Sequence, residues 1–187
     1  KIIPVMMKKT PVGKHSKYYI LSAATGKKQL EESKIFKEAV SDKNAGILLF
    51  DICGSGETSD MNKSENKFLP LYHDLARSSL WFGQPLLGEW VSEYRTIAQY
   101  ALDVLGADEI ILGGFRDAGV AALFTAALFG CYDGVKAEQI PFSLLNVSDN
   151  WKRGELCSKS GLNNNFYSLA LAVPSILKVC DISLATV

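Results

Sequence analysis

Arg116 and Asp117 stand where a short apolar run turns into a stretch of small residues, and chemistry is most legible there. The chain reads Ile110-Ile111-Leu112-Gly113-Gly114-Phe115-Arg116-Asp117-Ala118-Gly119-Val120-Ala121-Ala122. The pattern predicts a strand ending near Gly113-Gly114, a sharp turn, and a helix from about Val120. A serine held in G-x-S-x-G on such a strained strand-to-helix turn is a nucleophile for acyl transfer. In that register Gly114, Arg116 and Ala118 take the three fixed positions, so an arginine occupies the place of the serine. A guanidinium stays protonated and has no lone pair with which to attack a carbonyl. Two roles remain for Arg116. It is either an anion clamp at a helix N-terminus or an ion-paired remnant held by Asp117 or Glu57. Shifting the register by one residue makes Asp117 a carboxylate nucleophile, but the shift puts Phe115 where a tight turn needs a small residue.

Catalysis by a nucleophile also needs a base, and the chain has only His15 and His73, both before the turn. A surface or loop role is the expectation for each. Gly54-Ser55-Gly56 lacks the third glycine of a dinucleotide fingerprint, because Ser59 stands there, so it reads as a turn closing a strand. Cys53, Cys131, Cys157 and Cys180 have no C-x-x-C spacing, which gives no zinc or redox motif. No cofactor and no metal are expected. Trp81, Phe82, Trp90 and Trp151 are candidates for a sugar-stacking surface, set against the commoner role of tryptophan in a core or interface.

Three segments in order carry a family resemblance. Ala45 to Phe50 is an apolar run; Asp51-Ile52-Cys53-Gly54-Ser55-Gly56-Glu57-Thr58-Ser59 follows it; and Leu86-Leu87-Gly88-Glu89 opens a helix leading to the Gly114–Ala118 turn. Together they resemble the α/β-hydrolase superfamily, and within it the bacterial carbohydrate-esterase branch called acetyl xylan esterase-like, over roughly residues 18–147. The resemblance implies an Asp-x-x-Gly-x-Gly-x-Ser/Thr turn at Asp51–Thr58, and an oxyanion-hole loop at Thr25-Gly26 facing the nucleophile turn. It implies a Ser, acid, His order for the triad, which fails here at Arg116 and again because no histidine follows the turn. The aspartate-nucleophile variant resembles the dehalogenases and epoxide hydrolases. The expected function is therefore a catalytically degenerate hydrolase-like domain with a structural or ligand-binding role. One alternative is an active esterase completed by residues outside this chain, and another is a nucleotide-binding, flavodoxin-like module.

The elements that must position these residues follow from periodicity. Strands are expected near 18–23, 45–50, 109–113 and 139–147, and helices over Leu30–Val40 and from Leu86 through Leu105. In the second helix Val91, Tyr94, Ala98, Ala101 and Leu105 make a buried stripe. Residues 57–80 read as a loop with at most short helices and 149–165 as an exposed loop, and a helix is expected around Ser168–Leu177. Strands alternating with helices give an α/β fold: a mainly parallel sheet flanked by helices on both faces, incomplete at its C-terminal end. The expectation is a single domain over 1–187, part of a longer protein.

Composition narrows the partners. Twenty Lys and Arg balance twenty Asp and Glu, so no nucleic-acid partner is expected. Lys8-Lys9, Lys14, Lys17 and Lys27-Lys28 are dispersed and read as a solvated face. No apolar run reaches the length of a membrane span. The partners left are a carbohydrate or acylated small molecule, or another domain of the same protein. Asn62-Lys63-Ser64 and Asn146-Val147-Ser148 match the glycosylation pattern, which fits a periplasmic or secreted location, though the sequence leaves the compartment open.

Overall fold

A computed structural model gives the structure of this protein and describes residues 2–11, 16–59, 72–140, 169–178 and 181–182. Its centre is β2 (Lys17–Ala23), β3 (Ala45–Phe50) and β4 (Glu109–Phe115), whose residues are almost all buried. Such unbroken apolar runs are what a sheet covered on both faces requires. β2 pairs in parallel with β3 on one side and β4 on the other, and β4 pairs in parallel with β5 (Gly134–Glu138). β1 (Val5–Lys9) adds an antiparallel edge against β3, giving the order β1-β3-β2-β4-β5.

Alternate residues of each strand serve opposite faces. Tyr18, Ile20, Leu48, Phe50, Ile110 and Leu112 belong to the core beneath α3 (Leu86–Asp103) and α4 (Asp117–Phe129). Tyr19, Leu21, Ile47, Leu49 and Ile111 belong to a second core with Leu30, Ile35 and Ala39, around α1 (Lys34–Ser41). Helices therefore cover both faces, as the alternation of elements predicts. In the larger core the Tyr94 hydroxyl donates to the Gly113 carbonyl at 2.8 Å, and the Phe50 ring meets Tyr94 edge-on. A buried hydrogen bond of this kind contributes about 1 kcal/mol. Tyr94→Phe is expected to lower unfolding free energy by about 1–2 kcal/mol in a urea melt, and an unchanged midpoint would contradict the role given to this bond.

Several boundaries differ from the sequence expectation. A strand not expected from the sequence lies at Gly134–Glu138, and of the strand expected at 139–147 the first two residues are not strand: Gln139 turns away at φ 55 and Ile140 is outside any strand. Residues 141–147 fall outside the described residues. The helix expected over Leu30–Val40 is split by Ser33, whose extended backbone ends a 3-10 turn and whose hydroxyl accepts the Phe36 N–H to cap α1. Within 57–80, expected to be a loop with at most short helices, lies the nine-residue α2 (His73–Trp81). The helix expected around Ser168–Leu177 is instead two short 3-10 turns, Leu169–Leu171 and Ile176–Lys178, separated at Pro174, which cannot donate a helical N–H. Its first residue, Ser168, and the loop expected at 149–165 lie outside the described residues.

Candidate functional site at the strand ends

Counting only the parallel strands, the order is second, first, third, fourth, so the chain moves one way from β2 to β3 and then crosses to the other side of β2 to form β4. Ligands of open α/β sheets bind in the crevice beyond the strand C-termini at such a reversal. Here that point lies between the ends of β2 and β4. The register pairs Ala23 with Phe115, and the Ala24 N–H donates to the Phe115 carbonyl at 3.3 Å. The turn that carries Thr25-Gly26 thus leaves β2 next to the end of β4.

The turn at Arg116 is sharp. Its backbone sits at φ 59, ψ −135, a sparsely populated region for a residue with a side chain. Two hydrogen bonds hold it there: the Arg116 N–H donates to the Glu138 carbonyl at 2.8 Å, and the Arg116 carbonyl accepts the Gly119 N–H at 2.7 Å. α4 begins at once, at Asp117 rather than near Val120. Asp117 is thus the first helical residue, and Arg116 is the strained one. The strain therefore falls on Arg116, and Asp117 lies within regular helix.

Small residues make this geometry possible. A Cβ on Gly114 would overlap the Ala118 carbonyl and the Gly119 nitrogen, and one on Gly119 would lie 2.8 Å from the Gly114 oxygen. Ala118 itself is fully buried.

Arg116 is half-buried, and its guanidinium lies 5.5 Å from the centre of the Phe115 ring. Among the described residues no carboxylate lies within ion-pair distance of it, so the expected pairing with Asp117 or Glu57 is not found. Each of those carboxylates is engaged elsewhere. Asp117 accepts the Tyr72 hydroxyl at 2.7 Å, and Glu57 receives the Lys27 ammonium at 2.5 Å.

The Asp51–Thr58 turn is built around its own carboxylate. Asp51, 1% exposed, accepts the Lys27 N–H at 2.6 Å, the Glu57 N–H at 3.0 Å and the Lys27 ammonium at 3.0 Å. Gly56, at φ 49, leaves space for that carboxylate, and a Cβ on Gly26 would lie 2.8 Å from the Gly56 Cα. The Thr58 hydroxyl donates within the same turn, to the Ile52 carbonyl at 2.7 Å. Two of the amides in this region that would face a phosphate are occupied by Asp51, which fits the strand-closing reading of Gly54-Ser55-Gly56. Lys27 and Tyr72 were not singled out by the sequence. Lys27 lies 24 residues from Asp51 and Tyr72 45 residues from Asp117, separations over which no local pattern carries a signal.

Burial alone would lower the Lys27 pKa, but hydrogen bonds to Glu57 and Asp51 outweigh it and hold the ammonium above its ordinary value. Burial raises the Tyr94 phenol well above its ordinary value. Both groups keep their protons in the folded state after the unfolded chain begins to lose them. Their stabilisation is complete below about pH 10 and lost as pH rises beyond it. Urea midpoints are expected to fall steadily above pH 10, less steeply in Tyr94→Phe; a flat profile in the parent protein would refute this.

The other candidates are scattered. Trp90 is fully buried and donates its indole N–H to the Cys53 carbonyl at 2.8 Å, so it is a core residue and no part of a sugar platform. Trp81 and Phe82 are exposed at the end of α2, and Trp151 lies outside the described residues. His73 begins α2 with a buried Nδ1 that has no hydrogen-bond partner; His15 lies outside the described residues. Cys53 is half-buried and Cys131 exposed, whereas Cys157 and Cys180, like both glycosylation tripeptides, are outside. Among the described residues no three His, Cys, Asp or Glu side chains form a metal-binding group, and no helix is long and apolar enough to cross a membrane.

No protein-family model and no curated protein sequence matches the chain. Solved structures do match. An acetyl xylan esterase from Paenibacillus sp. R4 superimposes with a TM-score of 0.52 at 15% identity, covering 86% of this chain and 56% of that one. Est1E from Butyrivibrio proteoclasticus superimposes with a TM-score of 0.51 at 14% identity, covering 90% of this chain and 64% of that one. The chain thus spans less than two thirds of the length of either structure. At these identities the likeness concerns architecture, and it agrees with the mainly parallel sheet and the helices on both faces: the chain has the α/β-hydrolase fold.

Proposed function

We propose that this chain is a catalytically degenerate α/β-hydrolase-fold domain, part of a longer protein, whose strand-end crevice binds a ligand instead of hydrolysing one. The observation that carries the reading is Arg116. The backbone keeps a strained turn suited to presenting a nucleophile, yet the side chain presented is a cation without a carboxylate partner among the described residues. The ligand is a carbohydrate or acylated small molecule bearing an anionic group, received by the guanidinium and by the N-terminus of α4. Titration with glucuronate and with xylose, followed by calorimetry, tests this. Glucuronate should bind and xylose should not, and Arg116→Ala should weaken glucuronate at least about tenfold, the scale of a lost charge-assisted bond. Equal behaviour of the two sugars would count against the clamp.

The rival reading, an esterase completed by groups outside this chain, makes a different prediction. The degenerate domain should not turn over p-nitrophenyl acetate above a denatured control, and a fluorophosphonate should label no residue. Arg116→Ser should also stay inactive, because a serine without a histidine base is a poor nucleophile. With no ion pair to break among the described residues, its stability should change by about 1 kcal/mol or less. Turnover abolished by Asp117→Asn would revive the aspartate nucleophile.

A further inference from the structure

Two turns meet beside the elbow, Ala24–Lys27 after β2 and Asp51–Thr58 after β3, and the polar contacts between them converge on Lys27. Its backbone N–H and its ammonium both donate to Asp51, and the ammonium also reaches Glu57. Among the described residues the other hydrogen bonds of the first turn are local, Gly26 to Ala23, Gln29 to Gly26 and Thr25 to Gln29, apart from the Ala24 bond to Phe115. The two arms of the network differ in surroundings. The Lys27 side chain is 11% exposed and that of Asp51 1%, whereas Glu57 is 64% exposed at the rim.

We infer that the Lys27–Asp51–Glu57 network is a latch that holds the Thr25–Gly26 turn closed beside the elbow, and that this turn opens as a local unit when the latch is broken while the sheet stays folded. Local opening is favoured where few bonds tie a segment to its neighbours. Here Gly26 contributes no side-chain packing and Thr25 is exposed. The ends of β2, by contrast, are fixed on both sides by parallel partners. Lys27 acts through the turn, so it is a positioning residue. The effect of the latch on ligand access rests on the binding reading of Arg116, whereas the opening itself does not.

Amide hydrogen exchange read by mass spectrometry tests the latch without any ligand. Lys27→Met alone leaves the Asp51 charge buried and risks unfolding the protein, so the deciding variant is Lys27→Met/Asp51→Asn, which removes both charges. Exchange in peptides covering residues 24–29 and 54–59 should be at least about tenfold faster than in the parent protein, with β2 and β4 unchanged. Unchanged exchange in the turns would show that the Gly26–Gly56 packing suffices and would overturn the latch. Equal acceleration throughout the sheet would also overturn it, by showing that the network supports only global stability. A parent protein that fails to bind glucuronate, with the turns exchanging faster in the double variant as expected, would fault the Arg116 reading and leave the latch standing.

Discussion

Gly114→Ala is expected to cost about 3–5 kcal/mol, read as a large fall in the urea midpoint with cooperativity retained. The added methyl would overlap the carbonyl of Ala118 and the nitrogen of Gly119, which are backbone atoms of the first turn of α4. Backbone cannot rotate aside as a side chain can, so relief requires moving α4 away from β4. Gly113→Ala is the internal control. There the methyl meets the side chains of Leu21 and Ile35, which can shift, and a cost of about 1–3 kcal/mol is expected. Equal costs at the two positions would mean that the turn is looser than its geometry indicates.

Lys27→Met should be comparably damaging, at about 3–5 kcal/mol, because it leaves the buried Asp51 carboxylate without its counter-charge. The Glu57 arm is expected to matter little, since Glu57 is largely exposed and pairs of that kind contribute about 0–1 kcal/mol. Urea melts of Lys27→Met and Glu57→Gln at pH 7 measure both. A Lys27→Met protein as stable as the parent would mean that the two backbone N–H donors satisfy Asp51 unaided. Recovery of stability on adding Asp51→Asn would identify the uncompensated charge as the cause.

Two strands among the described residues, β1 and β5, were not legible to pattern reading, and for the same reason. β1 is Val5-Met6-Met7-Lys8-Lys9, an exposed edge whose residues face solvent on either side, so no alternation between core and solvent marks it. β5 is Gly134-Val135-Lys136-Ala137-Glu138, half-buried throughout. Its apolar content is lower than that of the segment after it, which drew the expected strand to 139–147. Edge strands are specified mainly by the partner already in place, here β3 and β4.

The amino-acid sequence by itself determined the three central strands, the helix after Leu86, and the absence of a serine at the turn, because buried parallel strands and glycine-rich turns impose strong local composition. It also determined that Arg116 cannot be a nucleophile, which is a matter of side-chain chemistry alone. Only the tertiary structure decided where the strain of the turn falls, at Arg116 with its positive φ, whose N–H and carbonyl are held by Glu138 and Gly119. Only it decided the partners of the charges, too. Lys27 reads as a surface lysine until the parallel pairing of β2 with β3 brings its turn onto Asp51, and Asp117 reads as a partner for Arg116 until α2 delivers the Tyr72 hydroxyl. Ion pairs and hydrogen bonds of this kind depend on distances in space between residues far apart in the chain, and short-range patterning does not encode those distances.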